Sequence, residues 1–102
     1  MLQPLDDRLQ AVVDTFRKAT EHLDAVEEVE AWGTPDGGIL MVLLVRTRED
    51  SVWDEITGLE YDVARANRTY SIEFRHCDLA RQTVEEFAVD QPEEVAANLP
   101  YG

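Results

Sequence analysis

Cysteine is nearly absent from this sequence: Cys77 is the only one in 102 residues. A single thiol cannot close an internal disulfide, so nothing points to an oxidising compartment. Long hydrophobic runs are also absent. The longest, Ile39 to Val45, is seven residues, against the roughly 18–20 that a membrane span needs. No basic region precedes an apolar segment near the N-terminus, so no signal peptide is expected. These absences predict a soluble protein in the cytoplasm, with no membrane partner. Histidine is scarce, at His22 and His76. Together with Cys77 these meet no zinc-ligand spacing, so no metal and no cofactor are expected.

Positive charge is the other shortage. Nine Lys and Arg face 22 Asp and Glu, for a formal net charge of −13, and Lys18 is the only lysine. Such a surface repels DNA, RNA and anionic membranes at long range, so direct nucleic-acid binding is not expected, whereas a basic protein would be attracted. Two further readings of the acidity stay open. It can serve solubility or salt adaptation alone. Alternatively, the acid clusters at 27–30, 54–62 and 85–94 can imitate a phosphate backbone and occupy the DNA or RNA site of a basic protein.

What is present is enough for one domain over residues 1–102, since 44% of the residues are hydrophobic, close to an ordinary globular composition. Leu5, Leu9, Val12, Val13, Phe16, Ala19 and Leu23 recur at helical spacing. Val26 to Trp32 reads as a half-exposed strand with Glu28, Glu30 and Trp32 on one face. Gly33 to Gly38 is the strongest turn signal in the chain. Ile39 to Arg46 lacks alternation, so it is expected to be a central strand buried on both faces and antiparallel to the first. Ser51, with Asp54 three residues on, resembles a capping box that opens a second helix ending near Asn67. Thr69 to Arg75 alternates as a third strand, with Tyr70, Ile72 and Phe74 facing in. Asp78 is expected to cap a third helix, and Pro92 to lie in the first turn of a fourth. The fold class expected is α/β (α+β): a small mixed sheet of at least three strands with an N-terminal helix, a crossover helix and C-terminal helices. Residues 1–81 form the α/β core, and 82–102 an acidic helical tail whose last residues, Pro100 to Gly102, are expected to fray.

Four segments carry a family resemblance: Val26 to Gly33, Gly37 to Val45, Trp53 to Ile56 with Leu59 to Val63, and Tyr70 to Phe74. Their order resembles the minimal nucleotidyltransferase family over roughly residues 5–78. The resemblance implies a nucleotidyltransferase-like fold. It places Thr34 where the family has a serine after glycine, Ile39 and Met41 where it has metal-binding aspartates, and Glu73 near its third carboxylate. Isoleucine and a thioether are not ligands for a hard cation such as magnesium. The resemblance therefore implies a copy without an active site, not an enzyme. Its implied role is that of an antitoxin-like binding module for a small helical toxin-like protein, or of a homo-oligomer.

Other constellations are weaker. Asp36-Gly37-Gly38 lacks the lysine and following helix of a phosphate cradle and reads as a hairpin turn. His76 and Cys77 are adjacent on a strand and point to opposite faces, so one cannot activate the other. For partner contact the candidates are the aromatics Trp32 and Tyr61, which lie off the apolar faces of their elements, and the acids beside them, Glu28, Glu30, Glu60 and Asp62; the other reading of the two aromatics is that each covers the edge of the core.

Overall fold

A computed structural model describes residues 1–100. Tyr101 and Gly102, at the end expected to fray, lie outside the described residues. Helix α1 spans Asp7–Thr20, and its N-terminus is capped by Asp6, whose Oδ1 accepts the Leu9 N–H at 2.9 Å. Strand β1 spans Val26–Gly33 and β2 spans Ile39–Val45. Helix α2 covers Asp50–Ala66 and β3 covers Ile72–Asp78. Two short helices follow, α3 at Val84–Ala88 and α4 at Glu93–Asn98. The sheet order is β1-β2-β3, with β1 antiparallel and β3 parallel to β2. This is the mixed three-stranded sheet of an α+β domain. No helix is long and apolar enough to cross a membrane among the described residues.

All seven residues of β2 are buried, and the sheet's two faces explain why. Ile39, Met41, Leu43 and Val45 pack against Leu9, Val13 and Phe16 of α1 and Ile56 and Val63 of α2. Leu40, Val42 and Leu44 turn the other way and pack with Cys77, Phe87, Val95 and Leu99. The acidic tail thus supplies the second cover of the sheet, and its Val95 has no exposed surface. Full burial of one such side chain contributes about 1.5–3 kcal/mol.

Several element boundaries differ from the expected ones: β1 ends at Gly33 and β2 at Val45, each one residue from its expected end, and β3 runs to Asp78, not Arg75. Helix α2 starts one residue before Ser51, with Glu49 as its N-cap and no side-chain cap bond. The preceding turn is held instead by Thr47, whose Oγ1 accepts the Glu49 N–H at 3.1 Å and whose carbonyl accepts Trp53 Nε1–H at 3.1 Å. Strand β3 begins at Ile72, not Thr69, because a turn after α2, closed by Tyr70 N–H to the Asn67 carbonyl at 3.0 Å, uses the intervening residues. Asp78 ends β3 and caps no helix; its Oδ1 accepts the Ala80 N–H at 3.1 Å. The cap of α3 is Thr83, in a reciprocal capping box with Glu86. Pro92 is the N-cap of α4 and stands just outside its first turn.

The β1–β2 turn depends on two glycines. Gly37 has φ +84°, a region that favours glycine. At Gly38 a Cβ would lie 2.2 Å from the Ser71 carbonyl oxygen, where the turn meets the approach to β3. Gly58, inside α2, has open space around it. Gly38→Ala is therefore expected to destabilise by about 1–3 kcal/mol, and Gly58→Ala to stabilise by about 0.5–1 kcal/mol. Urea unfolding midpoints should move in opposite directions for the two variants.

Candidate partner-binding surfaces

The positions that the nucleotidyltransferase resemblance matches to carboxylates do not converge. Ile39 and Met41 are fully buried under α1 and α2. Glu73 pairs in register with Leu40, so its side chain lies on the opposite face of the sheet. Aspartates at 39 and 41 would not meet Glu73. His76 and Cys77 are likewise divided by the sheet. His76 Nε2 meets Glu60 Oε2 of α2 at 2.6 Å, and its ring lies edge-on to Trp53. Cys77 is fully buried in the second core, and burial, with Asp78 beside it, pushes its thiol pKa up. A buried thiol so shifted is a poor nucleophile. No three His, Cys, Asp or Glu side chains gather as a ligand set among the described residues.

The six candidate contact residues separate into two groups on opposite sides of the sheet. Trp32 is half-buried and packs against the second core, together with Leu2, Leu79 and Val84. It covers the edge of that core, because α3 and α4 close over the strand face that was read from sequence as solvated. Glu28 is exposed on the same strand and Glu30 is half-buried. Burial, then the neighbouring Glu28, raises the Glu30 pKa above the ordinary carboxylate value, while Arg17 acts the other way. On the α2 side Tyr61 is 63% exposed, with the Arg65 guanidinium 5.4 Å from its ring centroid. Asp62 is exposed at the rim of an open α1–α2 groove of about 250 Å³, floored by Phe16, Leu59 and Val63. Glu60 is turned inward to His76, and its side chain is only 12% exposed. It is a bridge between α2 and β3.

Charge is unevenly compensated across the molecule. Asp14, Glu27, Glu55, Glu60, Glu73 and Asp78 each lie within ion-pair distance of a base. Among the described residues the other sixteen of the 22 acids have no such partner, and Glu85, Glu86, Asp90, Glu93 and Glu94 differ from the rest in that no base follows Arg81 in the sequence. Among these acids sits Val89, a large hydrophobic residue that is 82% exposed. The sequence marks the tail as acidic, but Val89 is not among its candidate contact residues. The signal available was a branched apolar residue just past a helix with acids on both sides.

No protein-family model, no curated protein and no solved structure matches the chain.

For Glu30 the sign of the pH effect follows from its raised pKa. Its contribution favours folding below the ordinary glutamate value and is lost as pH rises through the raised value. Glu30→Gln should therefore stabilise the protein at neutral pH. The gain should vanish about one unit below the ordinary glutamate pKa, as read by urea unfolding at the two pH values.

Proposed function

We propose that this chain is a non-catalytic protein-binding module with a regulatory, antitoxin-like role, and that it holds a basic helical partner on its acidic C-terminal layer. The observation that carries this reading is the uncompensated acid surface of α3 and α4, with Val89 exposed in its midst. An apolar centre ringed by charges of one sign suits a partner helix with an apolar stripe and basic flanks. The α2 surface is a weaker candidate, because Arg65 and Arg68 stand beside Tyr61 and Asp62 and offset the acids there. The divergence of Met41 and Glu73 supports a role without phosphoryl transfer. The order of helix, hairpin, crossover helix and parallel strand is what favours a nucleotidyltransferase-like fold behind it.

Imitation of a nucleic-acid backbone is a narrower form of the same idea. It is less well supported, since acids lie on both outer layers and six of them already face a base.

Affinity capture from cells that natively make the chain, at low and high salt, tests the reading. A basic protein should be retained at low salt and released as salt rises. Glu85→Gln/Asp90→Asn/Glu93→Gln should weaken its retention by roughly tenfold or more, whereas Tyr61→Ala should leave it unchanged. Displacement of the chain by added duplex would favour the mimic. Retention indifferent to both salt and the triple variant would contradict the proposal.

A further inference from the structure

The two edges of the sheet are treated differently. The edge at β1 is interrupted at three points. A register irregularity falls between Val26 and Glu28. The Val29 carbonyl accepts Arg17 Nε–H at 3.0 Å and Nη2–H at 2.7 Å. Gln3 and Gly33 exchange two main-chain hydrogen bonds, at 2.9 and 2.7 Å. These are the devices by which sheet proteins prevent edge-to-edge pairing.

The edge at β3 has none of them. The Ile39 N–H bonds to the Ser71 carbonyl at 2.8 Å and the Leu79 N–H to the Val45 carbonyl at 2.8 Å. The alternation of a parallel ladder then directs the main-chain groups of residues 71, 73, 75, 77 and 79 to β2, and those of Ile72, Phe74 and His76 outward. Among the described residues no hydrogen bond reaches those outward groups. The strand contains no proline, no lysine and no bulge.

We infer that β3 pairs antiparallel with β3 of a second copy of this chain, about a two-fold axis at Phe74, giving a continuous six-stranded sheet. The side chains fix both the occupant and the register. Outward-facing residues must oppose one another, so the possible registers differ in steps of two residues. With Phe74 opposite Phe74 of the other copy, Ile72 faces His76, and Glu73 faces Arg75 twice. Shifting one step either way sets Arg75 against Arg75 or Glu73 against Glu73, and directly opposed like charges destabilise a sheet. Within one chain Glu73 and Arg75 already sit close enough to bond, at 2.5 Å, so pairing extends an existing ion pair into a four-membered network. The self-complementarity lies in the strand's own Glu-Phe-Arg sequence, with Arg75 held from the C-terminal layer by its Nη1–H, which donates to Gln91 Oε1 at 2.8 Å.

An edge-only contact is at the small end of interface sizes, so association is weak and is sought at about 100 μM chain or above. Sedimentation equilibrium of the full chain should give a mass rising from 11.6 kDa toward twice that value. Added salt should strengthen the association, because it screens the repulsion between two chains of net charge −13. A basic partner on the acidic layer would show the opposite salt dependence, so failure of one idea leaves the other distinguishable. Glu73→Arg alone and Arg75→Glu alone should each weaken self-association by about tenfold or more. An equimolar mixture of the two variants should associate again, as should the double variant E73R/R75E. Circular dichroism of each variant checks that it is folded. A monomeric wild type at high salt, or single variants that associate as well as wild type, would overturn the inference.

Discussion

Burial of β2 on both faces is the constraint from which the rest of this structure follows. Its seven apolar side chains alternate between two cores, and each core needs its own cover. The amphipathic helices α1 and α2 cover one side. What remains of the chain after β3 is short, yet Phe87, Val95 and Leu99 suffice to close the other. The tail is therefore committed to the sheet by its apolar residues, and its acids are left to face outward. The same constraint places β1 and β3 at the edges, since a central β2 leaves them nowhere else to go.

Much of this could be read in advance. The unbroken apolar run of β2 predicted a central strand, and the Gly-rich turn predicted its antiparallel pairing with β1. The helical spacing in α1 and α2 predicted the first cover. The boundaries that shifted were those set by local hydrogen bonding. Ser51 looks like a cap, but Thr47 organises the turn first. Thr69 has strand propensity, but the turn after α2 claims it. Whether Trp32 meets a partner or covers the core edge could not be read in advance, because sequence periodicity describes one strand at a time, whereas the cover on Trp32 comes from elements more than fifty residues further along. The opposition of Met41 and Glu73 was equally hidden, since faces can be compared only once the register between β2 and β3 is known.

The proposed function is a matter of what the two layers leave exposed. Groups with reactive chemistry are separated by the sheet or turned into structural pairs, as with His76 and Glu60. What remains outside includes a C-terminal layer that carries acids and no base, and one strand edge whose outward main-chain groups make no hydrogen bond among the described residues. Both are the surfaces on which the proposed contacts with other proteins rest. They differ in their chemistry: the first depends on long-range charge, the second on short-range register.

The two tryptophans offer a direct test of the central constraint, because each reports on one cover. Trp53 lies with α2 against β3, and Trp32 lies under the tail. In Trp32→Phe and Trp53→Phe variants, the remaining tryptophan's fluorescence can be followed through denaturant unfolding alongside far-ultraviolet circular dichroism. If both covers are held by β2 as one cooperative unit, the two signals coincide within each variant. A Trp32 signal that changes at lower denaturant than the circular dichroism of the same variant would show the tail leaving an intact sheet, and would contradict the dependence of β2 on both covers.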